Sequence, residues 1–166
     1  MQRKTVKANY PPLKIQDTDC IDVLETFDLG DGLYVQVMHY NGEPRIDLRQ
    51  WFYTSDGEQK PTRKGIRLTS TSWLKLLGEN EHLVADISNV KMRRSVNKCY
   101  PLGSDVYATI TSPRWVVDLY LWYMGGYREL RRGWSGLSLK FSQWRKLMEL
   151  SNRITRLIDH KWNTLS

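Results

Sequence analysis

The sequence predicts an α+β fold of two tandem units, each an antiparallel sheet followed by a helical element. Three observations carry this reading. The order of features in residues 29–87 recurs in residues 102–158. The first part of each copy consists of short runs rich in β-branched and aromatic residues. The last part of each copy has apolar residues at the 3.6-residue spacing of an amphipathic helix.

The repeat is exact enough to number. Leu29-Gly30 precedes Tyr34-Val-Gln-Val37 as Leu102-Gly103 precedes Tyr107-Ala-Thr-Ile110, at an offset of 73. After the next turn the offset becomes 71, and it holds for Asp47 and Asp118, Trp51 and Trp122, Gly65 and Gly136, Leu68 and Leu139, Trp73 and Trp144, and Ile87 and Ile158. A hairpin shorter by two residues in the second copy accounts for the change.

Within the first copy, Tyr34 to Tyr40 and Arg45 to Tyr53 read as strands joined by Asn41-Gly42, which supplies the positive φ of a tight hairpin. Val106 to Thr111 and Val116 to Tyr123 are their counterparts. The segment Lys60-Pro-Thr-Arg63-Lys64-Gly65 places three cations beside turn-forming residues and reads as a phosphate-gripping loop. Ile66 to Leu68 and Leu137 to Leu139 then form a further strand, so each copy holds at least three. Trp73, Leu76, Leu77, Leu83, Val84 and Ile87 share one helical stripe, as do Trp144, Leu147, Met148, Ile154, Leu157 and Ile158. Hydroxyls at Ser70 to Ser72 and at Ser142 are placed to cap these helices. Trp73 and Trp144 are expected in the core. Strand alternation separates Trp51 from Phe52, so one of the two is expected in the core as well.

The domain organisation that follows is an N-terminal extension over 1–28, a first unit over 29–87, a basic linker over 88–101 and a second, divergent unit over 102–166. The linker could reach about 45 Å at about 3.3 Å per residue, ample for the units to pack side by side as an intramolecular pseudo-dimer. Arg3, Lys4 and Lys7 in the extension could contact phosphate or act as a targeting signal, or simply belong to a frayed end.

The formal charge of +7 is compatible with a polyanionic partner. Its distribution is uneven. Cations and acids number 4 and 5 in residues 1–28, 7 and 8 in 29–87, 4 and 0 in 88–101, and 10 and 5 in 102–166. The excess therefore lies in the linker and second unit. Cys20 and Cys99 are too far apart for a zinc ribbon and indicate no disulfide framework. No apolar run approaches the roughly 20 residues of a membrane span, and a soluble, intracellular protein is expected.

The string Tyr34-Val-Gln-Val, Ile46-Asp-Leu-Arg49, Trp51-Phe52, Gly57-Glu58, Lys60-Pro61, Arg63-Lys64-Gly65-Ile66 and Trp73 resembles the transcriptional coactivator family called positive cofactor four. The resemblance covers residues 29–87 without a gap and residues 102–158 more distantly. It implies a four-stranded antiparallel curved sheet plus a C-terminal helix (ββββα) in each unit. It also implies pairing of two such units, either within one chain as a pseudo-dimer or as a homodimer, to form channels for single-stranded DNA. Carried over by position, the family's nucleic-acid-binding residues fall on Tyr40, Arg49, Phe52, Lys60, Arg63 and Lys64. Asp31 and Glu43 replace two family lysines, and Met38 replaces an arginine. The second copy lacks the Lys-Pro-x-Arg-Lys string and has Tyr127-Arg128-Glu-Leu-Arg131-Arg132-Gly-Trp134 instead.

Rings interleaved with cations suit unpaired nucleotides, because bases stack on aromatic faces while Lys and Arg follow the phosphates. In the second copy Arg114, Trp115, Tyr120, Tyr123, Arg131, Arg132 and Trp134 could form an equivalent surface or the contact between copies. Enzyme chemistry is not expected. Asp47 and Asp118 are lone strand acids, read as structural hydrogen-bonding groups, and His39, His82 and His160 have no ligand-like spacing. No metal or other cofactor is called for. The functional expectation is a sequence-nonspecific, single-stranded DNA-binding coactivator or regulator of transcription, placed in the nucleus, with the transcription machinery as partner. RNA on the same surface, a protein-interaction scaffold, and a viral or bacterial cytoplasm remain alternatives.

Overall fold

The computed structural model describes residues 19–163, with side chains to Asp159. The basic residues of the extension lie outside the described residues. Strands β1 (Ile21–Gly30), β2 (Leu33–Tyr40), β3 (Glu43–Tyr53) and β4 (Gln59–Thr69) form an antiparallel sheet in that order, followed by helices α1 (Ser70–Gly78) and α2 (Asn80–Lys91). Strands β5 (Asn97–Gly103), β6 (Val106–Thr111), β7 (Val116–Met124) and β8 (Leu130–Lys140) form a second such sheet, followed by α3 (Phe141–Glu149) and α4 (Ser151–Asn163). The hairpin dipeptide behaves as its chemistry requires, with φ of 50° at Asn41 and 83° at Gly42.

Alternation along the strands supplies the core. Val35, Val37, Ile46, Leu48, Ile66 and Leu68 line the inner face of the first sheet, and Ala108, Ile110, Val117, Leu119, Leu137 and Leu139 that of the second. Trp73 and Trp144, at 0% and 1% exposure, join Leu76, Leu83, Ile87, Leu147, Ile154 and Ile158 in one core continuous across both units. Each large apolar side chain buried this way contributes about 1.5–3 kcal/mol.

Contacts between the units are reciprocal. Ser72 Oγ donates to the Gly103 carbonyl at 3.4 Å, and the equivalent Gln143 Nε2 donates to the Gly30 carbonyl at 3.0 Å. Trp73 Nε1 donates to Thr155 on α4, and Trp144 Nε1 to Asn80 on α2, each at 3.0 Å. His82 stacks on Tyr100, while Arg153 lies over the ring of Phe27, the position that matches Tyr100.

Several expectations are corrected. Strand β1 takes in residues 21–28 of the segment read as an extension. Its charged residues Asp22, Glu25 and Asp28 and a register shift between Val23 and Glu25 hide the strand period. The basic segment from Lys60 is not a loop but part of β4. Pro61 and Gly65 are accommodated by a register shift: Arg49 pairs with Gly65 while Trp51 pairs with Pro61, leaving Thr62 to Lys64 bulged. The segment between α2 and β5 is only residues 92–96, since the predicted linker is consumed by those two elements.

Each single predicted helix is a pair, broken at Glu79 and at its equivalent Leu150. One non-helical residue shifts the spacing too little to interrupt the apolar stripe. The first helix is capped not by Ser70–Ser72 side chains but by Thr69, whose Oγ1 accepts from Ser72 N at 3.1 Å. At the second, Gln143 Oε1 accepts from Lys140 N at 2.9 Å, and this contact replaces the expected Ser142 cap. Trp51 and Phe52 are both half-buried and neither joins the core. Among the described residues no helix is long and apolar enough to cross a membrane.

Candidate nucleic-acid interface

On the outer face of the first sheet a polar chain runs from Tyr40 to Thr62. The Arg67 guanidinium lies 4.8 Å above the Tyr40 ring centroid, and Arg67 Nε donates to Asp47 Oδ1 at 3.2 Å. Arg49 grips the same carboxylate with Nε and Nη2 at 3.0 and 2.9 Å, and donates Nη1 to the Thr62 carbonyl at 2.9 Å. Arg49 is 6% exposed and Asp47 2%. A guanidinium held on both edges and covered from water organises the sheet and its bulge. Tyr40 donates its hydroxyl to Asp19 at 2.8 Å, a bond that raises the phenol's pKa above its ordinary value.

Asp118 has the same place in the second sheet and different partners. It accepts from Arg114 Nη1 at 3.0 Å and from the Ser138 hydroxyl. Both aspartates are thus structural hydrogen-bonding groups, as their isolation in sequence predicts.

Because Asp118 is held from Arg114, the position equivalent to Arg49 is released for another residue, Tyr120. The glycine opposite each is what makes room. A Cβ at Gly65 would lie 2.7 Å from Arg49 Cζ, and one at Gly136 would lie 2.4 Å from Tyr120 Cδ1. Arg49 and Tyr120 therefore lie flat over equivalent strand backbones.

Tyr120 faces a cleft of about 480 Å³ where β4 meets β8. Arg63 and Lys64 line it from the first unit; Tyr120, Arg132 and Trp134 line it from the second, with Gly133 and Gly136 leaving the floor open. Arg132 lies 4.3 Å from the Tyr120 ring centroid, and Trp134 is 100% exposed. An indole with no protein covering it costs apolar exposure and offers a full π face. The cleft thus gathers five of the residues predicted for nucleic-acid contact, drawn from both units.

The others lie elsewhere. Phe52 pairs across the strands with Lys60, and the equivalent Tyr123 pairs with Arg131, so each long hairpin carries a ring beside a cation near its tip. Lys60 and Arg131 each sit 3.7 Å from a glutamate, Glu58 and Glu129, in exposed pairs of little energetic weight. Trp115, half exposed, borders a separate groove with Lys91, Arg93 and Arg94, where Lys91 Nζ is 5.4 Å from its ring. Sequence reasoning missed this groove because its cations belong to the inter-unit segment and its ring to a hairpin turn. It also missed Arg67, whose partner Tyr40 lies two strands away; no spacing signal in the sequence links them.

Residues 27–78 match the family model described as Transcriptional Coactivator p15 (PC4). The chain is also similar to the RNA polymerase II transcriptional coactivator KIWI of Arabidopsis thaliana, with 31% identity over 74 residues covering 45% of this chain and 68% of that protein.

Proposed function

Because the chain belongs to the PC4-like family of transcriptional coactivators, we propose that it binds single-stranded or melted DNA without sequence preference as a coactivator or regulator of transcription in the nucleus. In this reading the two units act as an intramolecular pair, the role a homodimer would otherwise fill. The observation that supports it is the cleft in which Arg63, Lys64 and Arg132 surround Tyr120 and the uncovered ring of Trp134. Ring faces are useful only to bases that are out of the duplex stack, and every base has one, so the chemistry favours single strands over sequences. The exposed Tyr123, Met124, Tyr127 and Leu130 on the second long hairpin offer a surface to the transcription machinery.

Fluorescence anisotropy with a single-stranded oligonucleotide and its duplex, over a salt series, tests the proposal. The single strand binds more tightly, and log affinity falls with log salt. Replacing Arg63, Lys64 and Arg132 by Ala together lowers that slope by about 2, at about 0.7 per lost phosphate contact. Equal affinity for the duplex, or a slope unchanged by the triple replacement, refutes the reading. Tighter binding of the matched RNA strand would reassign the ligand to RNA.

A further inference from the structure

The two units are equivalent in fold but not in what they bring to their junction. The offset of 71 pairs each cleft residue with a counterpart on the other side. Lys64 corresponds to Ser135, Arg63 to Trp134, Arg132 to Pro61, and Tyr120 to Arg49. The cleft obtained by exchanging the two units would therefore be built from Trp134 and Ser135 of the second unit and Arg49, Pro61 and Arg63 of the first.

That counterpart lacks the components the observed cleft uses. The ring of Tyr120 becomes a guanidinium, and Arg49 is already committed to Asp47 and Thr62 at 2.9–3.0 Å in a site 6% exposed. The cations of Lys64 and Arg132 become a serine and a proline. Trp134 and Arg63, the two residues common to both sides, correspond to one another.

We propose that one chain holds one single strand, at one ring-lined site: the second unit stacks a base on the uncovered ring of Trp134, beside Arg132 seated over Tyr120, and the first unit holds the adjoining phosphates with Arg63 and Lys64. This rests on the reading of the cleft as a single-strand site and adds its number, its division of labour and the residue exchange that sets them. Divergence of the copies has placed the exposed ring in the second unit, with Arg132 beside it, and the other two cleft cations, Arg63 and Lys64, in the first.

Titration of the full chain with a short oligothymidylate, read by native mass spectrometry and by calorimetry, counts the sites. One strand per chain is expected. Tyr120→Arg, which removes the ring that seats Arg132, and, separately, the fully exposed Trp134→Arg install the first unit's residues and should each weaken binding, the Trp134 variant about 5- to 150-fold, the range for loss of one stacked base. Ser135→Lys, on an exposed strand position, should leave the count at one, since a cation alone restores no ring. Two strands per chain of comparable affinity overturn this inference while leaving single-strand binding intact. So does unchanged affinity in both ring variants with circular dichroism showing the native fold. No binding of any oligonucleotide would remove the functional reading itself.

Discussion

Arg49 and Tyr120 stand at the same place in their sheets, and their partners decide what each can do. Asp47 accepts from Arg49 and Arg67 in a site almost closed to water, where the carboxylate offsets two guanidinium charges and its loss leaves them bare. Breaking a buried pair by removing one partner typically costs about 3–5 kcal/mol. Asp47→Ala should lower unfolding free energy by that amount in a urea titration, and a loss below about 1 kcal/mol would show that Arg49 finds another partner. The structural nature of Asp47 is legible in the sequence, because a lone acid between apolar strand residues has no catalytic companion. The burial of Arg49 is not, because which side chains cover an outer sheet face depends on a bulge three strand positions away, at Thr62.

At the scale of elements, hairpins were legible and junctions were not. Asn41-Gly42 identifies its turn because the backbone there demands positive φ, whereas the break at Glu79 leaves the apolar stripe of α1 and α2 in phase. That break has its own chemistry. His82 in the first turn of α2 has Nδ1 2.7 Å from the Glu79 carboxylate, and its ring stacks on Tyr100 of β5 at 6.0 Å and 4°. The hydrogen bond to Glu79 raises the imidazole's pKa above the ordinary value of about 6.5. A group whose pKa is higher folded than unfolded stabilises the fold fully below the unfolded value, and that stabilisation disappears as pH rises through the folded one. The urea midpoint should therefore fall slightly between pH 6 and pH 8. Glu79→Gln should flatten that part of the profile, and an identical slope in the variant would assign the dependence to another group.

For the whole molecule, the repeat was legible because glycines and tryptophans keep a fixed offset, and side-by-side pairing was expected from the resemblance, but which residues meet across the units had no sequence signal. The structure makes their separation costly. Trp73 is 0% exposed and donates to Thr155, Trp144 donates to Asn80, and the apolar faces of both helix pairs belong to one shared core. A unit of roughly 70–80 residues has little stability to spare even when its core is complete. Residues 1–94 and 95–166, produced as separate chains, should each fail to give a dispersed, folded monomer, either losing near-ultraviolet circular dichroism or associating with themselves through the bared helix face. Mixed in equal amounts, they should recover the tryptophan signal of the intact chain and sediment as a one-to-one complex. If either half alone sediments as a monomer with a native-like spectrum that the other half does not alter, the units are independent domains, and the shared core contributes nothing that a separate unit needs.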